Sequence, residues 1–230
     1  MKVAELHQIY KLMNSGGLIG EITIEPQEDG TIKVIGADAA KTFFTIFKSK
    51  VPVTIAKKIS IENIKGIDEI AKKFTNSELT IIDNKLHMSE GTKFANIILK
   101  EAQDLGINLP PLTDDHFDII SRNIDHNRLK ALGGIRSDSV INEEYHFYIM
   151  DENLFMRAGG VSDNNIGDSV SKCDKSTPEF TIKFTMNVSP CFSNIFTNAS
   201  IYMIKDKIMI VECDTETYNV RYHLAPRVDD

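Results

Sequence analysis

Two stretches of this chain carry the same pattern. Residues 67–86 read IDEIAKKFTNSELTIIDNKL, and residues 189–208 read SPCFSNIFTNASIYMIKDKI. Phe74-Thr75-Asn76 aligns with Phe196-Thr197-Asn198, Ile82 with Ile204 and Lys85 with Lys207, all without a gap. Self-similarity at a fixed spacing marks a chain assembled from copies of one supersecondary unit. A helix followed by strands is therefore expected twice, and 230 residues divide into two domains of ordinary size. A duplication this long builds a pseudo-symmetric object, and the functional question becomes what that object surrounds.

Four helices are expected in equivalent places. Leu6, Ile9, Tyr10 and Met13 fall on one stripe at helical spacing, and Ile64, Ile67, Ile70, Ala71 and Phe74 make a second. Leu129 and Leu132 anchor a shorter third helix that ends at Gly133-Gly134. Val188, Cys191, Phe192 and Ile195 give the fourth, with Ser189 as N-cap and Pro190 at the first helical position. Between the helices lie strand signals. GEITIEPQEDGTIKVIG alternates apolar and polar residues around Asp29-Gly30, the signature of a hairpin. AKTFFTIF, SELTIID, KLHMS and KFANIIL follow in the first half; HFDII, YHFYIMDENLFMRA, EFTIKF, SIYMIKDKIMIV and YNVRYHL occupy the second. So many short strands with so few helices predict an α+β chain, two duplicated domains of antiparallel sheet with two helices each.

Charge separates the helices from the rest. The net charge is −7, which argues against binding a polyanion until its distribution is read. Residues 2–14, 57–75 and 122–136 together carry +6, leaving −13 elsewhere. Lys65 and Lys72 lie opposite the Ile67 stripe, so they face whatever the helix layer faces. For one helix alone a solvated surface explains such charge; three basic helices in related positions on an acidic chain favour a shared polyanionic partner.

Other chemistries find little support. SGGLIG (15–20) is glycine-rich but precedes a strand, whereas a phosphate-binding loop follows a strand and opens a helix; it reads as the turn ending the first helix. The six histidines show no metal-ligand spacing, and Asp114-Asp115, Glu143-Glu144 and Asp229-Asp230 are adjacent pairs whose side chains diverge on any regular element. No catalytic residue, metal or cofactor is expected. Cys173, Cys191 and Cys213 are odd in number and far apart, as in reduced intracellular thiols. No apolar run is long enough to span a membrane, and Glu5 and Lys11 interrupt the N-terminal segment, so neither a span nor a secretory signal is expected.

By order, spacing and length the chain resembles the DNA sliding clamps, the processivity rings typified by proliferating cell nuclear antigen and the T-even phage polymerase clamp. The closing YNVRYHLAPRVDD is similar to the family's last strand and its Leu224-Ala225-Pro226-Arg227 ending, and MNSG after the first helix is similar to the phage-type clamps. LGINLPP (105–111) occupies the place of the interdomain connector. The resemblance implies a domain at 1–104, a connector at 105–113 and a second domain at 114–230.

It further implies a homotrimer, since a ring of six such units takes three chains of two. Edge strands at 93–99 and 164–173 would join the copies, with Phe94, Ile97, Ile98, Ile166 and Val170 at the contact. Double-stranded DNA would be met without sequence preference by Lys11, Lys65, Lys72, Arg122, Arg128 and Lys130. The fourth helix (190–197) has no basic residue, so the lining would be uneven. DNA polymerase would dock a peptide in a pocket formed by Ile107, Leu109, Pro110, Leu224 and Pro226, with His223 standing where some relatives carry an aromatic residue. With no ATPase motif present, ring opening would depend on an external, ATP-dependent clamp loader or on spontaneous dissociation, and the protein would act inside the cell on replicating DNA. The alternatives are a clamp paralogue in a heteromeric ring or transcription-coupled tether, and a small-ligand-binding protein with a duplicated sheet.

Overall fold

The computed structural model describes residues 1–40, 42–74, 76–101, 118–121, 124–133, 144–159, 165–173, 181–185, 199–204 and 208–226. The chain forms two compact units. Unit 1 comprises Met1–Asn108 with Glu216–Val220, and unit 2 comprises Leu109–Thr215 with Arg221–Asp230.

Unit 1 opens with α1 (Val3–Met13), which turns through Ser15–Gly17 into four strands: β1 (Glu21–Pro26), β2 (Ile32–Ala37), β3 (Phe43–Ser49) and β4 (Ile59–Glu62). After α2 (Ile64–Ala71) come β5 (Leu79–Ile82), β6 (Lys85–Glu90) and β7 (Lys93–Ile98). The first four strands form a sheet ordered β4-β1-β2-β3, and the last three a meander, β5-β6-β7. The pairings within these sheets are all antiparallel. In the β1–β2 turn Asp29 Oδ1 accepts from Thr31 N at 2.9 Å and Gly30 supplies φ +80°, which fixes the predicted hairpin.

Both helices bury the faces that the sequence periodicity predicts. Leu6, Ile9, Tyr10 and Met13 of α1 are buried, as are Ile64, Ile67 and Ala71 of α2 and Phe74 beyond its end. Ile70 is only half-buried, at the border of the stripe. Asn63 caps α2 by accepting from Gly66 N at 3.2 Å. The short strand β4 was not among the expected strands. Its Ile59, Ser60 and Ile61 are all buried, so it lacks the alternation that announces a half-exposed strand.

Unit 2 repeats the plan. β8 (Asp118–Ser121) precedes α3 (His126–Gly133), followed by β9 (Glu144–Met150), β10 (Asn153–Ala158), β11 (Ile166–Lys172) and β12 (Thr181–Thr185). β13 (Ala199–Ile204), β14 (Ile208–Asp214) and β15 (Tyr218–Leu224) close the chain. The four-stranded sheet is ordered β12-β9-β10-β11, the same order as β4-β1-β2-β3. The meander β13-β14-β15 matches β5-β6-β7. Even β8 on β13 has a counterpart in unit 1, where Lys2 bridges Glu78 and Leu79 N donates to Met1 O at 2.9 Å. The expected α+β duplication is therefore present strand for strand. The fourth expected helix lies outside the described residues.

The repeat is not gapless in three dimensions. Ile82 pairs with Lys85 across a two-residue turn, Asp83-Asn84, both residues left-handed. Its counterpart Ile204 pairs with Ile208, one residue further on. The second pair is one residue wider in sequence than the first, so by register the counterpart of Lys85 is Ile208 and not Lys207.

Candidate nucleic-acid interface

The basic side chains must be weighed with their neighbours. Lys11 on α1 and Lys65 on α2 are exposed, and the two helices pack on each other. Lys65 makes no ion pair among the described residues. Lys72, which caps α2, is also exposed but is held by two carboxylates, Asp68 Oδ2 and Glu69 Oε1, each at 2.8 Å. Hydrogen bonds to Asp68 and then Glu69 push its pKa above the ordinary lysine value. Two acids around one ammonium make this corner acidic. Lys58 is likewise paired, with Glu25 at 2.6 Å.

In unit 2, Lys130 is exposed on α3. Arg128 is exposed too, but its guanidinium is committed elsewhere. Nε lies 3.3 Å from Asp125 Oδ2, and Nη1 donates to Asp168 Oδ1 at 3.3 Å and to Ser169 O at 3.0 Å. Arg122 lies outside the described residues. Formal charge on the helices thus overstates what is available: Lys65 is exposed with no ion pair among the described residues, while Lys72 and Arg128 are engaged. The i, i+4 spacing of Asp68 and Lys72 was readable in the sequence. His7, which contacts Asp68 from α1, and Asp168, which holds Arg128 from β11, are long-range partners that spacing does not announce.

The expected joining edges are both sheet edges. β7 ends the meander of unit 1, and β11 ends the four-stranded sheet of unit 2. Phe94 and Ile98 are 70% and 76% exposed, and Ile166 is 54% exposed. Register places Phe94, Asn96 and Ile98 on one face with Ser89, His87 and Lys85 of β6. Ile97 and Val170 need correction: both are buried in their own units, because alternation along β7 and a bulge in β11 turn them inward. They can offer backbone to another chain but not side chains.

Of the expected peptide pocket, Ile107, Leu109 and Pro110 lie outside the described residues. Leu224 is fully buried and Pro226 half-buried. Beside them His223 is buried, and burial, aided by Arg221, pushes its pKa down to about 3, so the imidazole is neutral. Among the described residues no group of three or more His, Cys, Asp or Glu side chains could hold a metal ion, and no helix is long and apolar enough to cross a membrane.

No protein-family model matches the sequence, and no curated protein matches it. Solved structures do match, over nearly the whole chain. Proliferating cell nuclear antigen (PCNA) from A. fulgidus, bound to the C-terminal region of FEN-1, is 17% identical with a TM-score of 0.69, covering 100% of this chain and 98% of that one. The Entamoeba histolytica antigen gives 15% identity and a TM-score of 0.72, over 99% and 97% of the two chains. The PCNA2–PCNA3 complex from Sulfolobus tokodaii gives 14% and 0.65, with 100% of both chains covered. With two strand-for-strand equivalent α+β units in one chain of matching length, the protein has the DNA sliding-clamp fold.

Proposed function

We propose that this protein is a DNA polymerase sliding clamp, a homotrimeric ring that encircles double-stranded DNA and tethers the polymerase to it. The observation that carries the reading is a joint already made within unit 1. The edge of β3 is taken by the start of β15: Lys50 N donates to Thr217 O at 2.8 Å, and the Phe47 ring stacks on Tyr218 with centroids 5.6 Å apart. In strand order β11 is the counterpart of β3, and β7 is the counterpart of β15. Among the described strands neither β11 nor β7 has such a neighbour. Among the described residues, one edge of each kind is thus left without a neighbouring strand. Joining them is a heterologous contact, which closes into a ring at the right rotation, and an exposed apolar edge such as that of Phe94 and Ile98 favours being covered.

In this reading 1–104 and 114–230 are the two clamp domains and 105–113 the connector. Lys11, Lys65 and Lys130, with Arg122, supply sequence-independent attraction to phosphate, which permits sliding because no base edge is read. Retention comes from topology. The polymerase peptide docks at the connector with Pro226; a PCNA of similar fold is known bound to the C-terminal region of FEN-1, which supports peptide docking as a function. The site of action is replicating DNA inside the cell or an infected host, with ring opening left to an ATP-dependent loader and no chemistry at the clamp itself. The test is loading onto closed circular DNA followed by linearisation. Retention on the circle with release on cutting is expected; equal retention on both overturns encirclement.

A second reading, a subunit of a heteromeric ring, is favoured by the PCNA2–PCNA3 likeness. Co-purification with a second clamp-like chain in fixed stoichiometry, and failure to trimerise alone, would select it.

A further inference from the structure

We infer that Arg128 and Asp168 form a latch on the β11 edge, which a second copy of this chain must displace to pair along the full strand. The inference rests on the ring reading above.

The latch is visible as a difference between two copies of one design. In an antiparallel ladder, alternate residues direct both backbone groups to the same side. On β11 the residues paired with Arg157 and Phe155 are Gly167 and Ser169. Ser169 identifies the outward set, because its backbone groups are met by side chains. Its N–H donates to Asp168 Oδ1 at 2.8 Å, and its carbonyl accepts from Arg128 Nη1 at 3.0 Å. Arg128 Nη1 also reaches the same Asp168 Oδ1 at 3.3 Å. Together the two side chains satisfy one donor and one acceptor, as a neighbouring strand would. Next to them Val170 O accepts from Asp125 N at 2.7 Å, so the start of α3 is fastened to the bulge.

The corresponding edge in unit 1 is left open by its helix. Arg128 is the third helical residue of α3; the third of α1 is Glu5, which folds back on its own helix by accepting from Lys2 N at 2.7 Å. With no reaching side chain, the β3 edge takes Thr217. The two free edges are also unequal. On β7, Leu99 N faces Asn84 of the β6 turn, so by alternation Phe94, Asn96 and Ile98 direct their backbone groups outward. On β11, with Ser169 taken, Gly167 is the outward residue left between Ile166 and Asp168. Pairing can begin at Gly167 but gains its next rung only when Arg128 releases Ser169 O and Asp168 releases Ser169 N–H. Charged side chains on an edge strand blunt it against unwanted pairing.

The experiment measures self-association by sedimentation equilibrium for wild type, Arg128→Ala, Asp168→Ala and the double variant, with circular dichroism to confirm native folding. Each single variant removes a competitor for Ser169, so tighter assembly by roughly two- to tenfold is expected, the weight of about one net hydrogen bond. The double variant should gain little beyond either single one, since both open the same latch. Arg128→Lys, which keeps charge but loses the fork, should lie between wild type and Arg128→Ala. A wild-type trimer whose folded single variants assemble equally or more weakly overturns the latch and leaves the ring reading intact. Monomers for all the proteins overturn both, whereas a monomeric wild type with assembling variants supports the latch.

Discussion

His7 donates from Nδ1 to Asp68 Oδ1 at 2.5 Å, and this bond ties α1 to α2. The other oxygen of the same carboxylate holds Lys72 at 2.8 Å. Burial works against ionisation of Asp68, but hydrogen bonds from Lys72 and His7, with their charges, outweigh it and keep the carboxyl below its ordinary value. One acid therefore fastens the two helices of unit 1 and quenches a lysine on their exposed side.

Removing that quench should strengthen DNA binding. Asp68→Asn with Glu69→Gln leaves Lys72 without a carboxylate partner. The slope of log affinity against log salt is expected to steepen by about 0.9, one added phosphate contact. Fluorescence anisotropy on duplex DNA across a salt series measures it, and an unchanged slope would show that Lys72 does not face the duplex.

Lysines on the same helix should differ in effect. Lys65→Glu reverses a charge with no ion pair among the described residues, whereas Lys72→Glu acts on one already neutralised. Loading and processive synthesis should fall further with Lys65→Glu, and further still in the triple variant with Lys72→Glu and Lys130→Glu. The oligomer should survive in all three. Primer extension on a singly primed circle, with light scattering in parallel, separates the two properties.

Placing charge on the β7 edge should disperse the oligomer without unfolding the chain. Phe94→Glu and Ile98→Glu alter side chains that are 70% and 76% exposed, so the melting transition of the isolated chain should barely move, within about 0.5 kcal/mol. Light scattering at micromolar concentration should report monomers. A trimer surviving in both variants would direct the search to another edge.

Unit 2 should lose stability in acid through His223. Its folded-state pKa is about 3 against an ordinary 6.5, the signature of an imidazole buried neutral. The depressed value means that this contribution is complete above pH 6.5 and declines as pH falls from there toward 3, by at most about 1.4 kcal/mol per pH unit. His223→Gln should flatten that limb. Urea midpoints for the two proteins from pH 7.5 to 4 provide the comparison, and parallel curves would refute the assignment.

For the proposed peptide pocket Pro226 is the cleaner probe. Leu224→Ala empties a fully buried position and is expected to destabilise by about 2–5 kcal/mol, which confounds any binding measurement. Pro226→Ala alters a half-buried surface and should weaken a polymerase-tail peptide severalfold in a calorimetric titration while leaving the melting temperature in place.

Much of the architecture was legible because it rests on periodicity. The stripes Leu6–Met13 and Ile64–Phe74 and the Asp29-Gly30 hairpin are local patterns, and the repeat at Ile82 and Ile204 exposed the duplication. β4 was missed because three consecutive buried residues look like neither a helix nor an alternating strand. The register counterpart of Lys85 was misplaced because an ungapped alignment cannot show that Ile204 pairs one residue further on, with Ile208. The site was legible as composition only. Counting lysines and arginines located the basic helices, but whether Lys72 and Arg128 are available depends on Asp68, Glu69, Asp125 and Asp168, and the two decisive long-range partners come from elements folded far apart in sequence.

The division of β15 constrains how the protein can be made. Glu216–Val220 belongs to the first unit although all of Leu109–Thr215, which belongs to the second, is synthesised before it. The first unit therefore emerges from the ribosome with the β3 edge bare and stays incomplete until residues 216–220 have followed. Expressing residues 1–108 alone should yield a sticky fragment, and supplying 216–220 in trans is the natural way to rescue it.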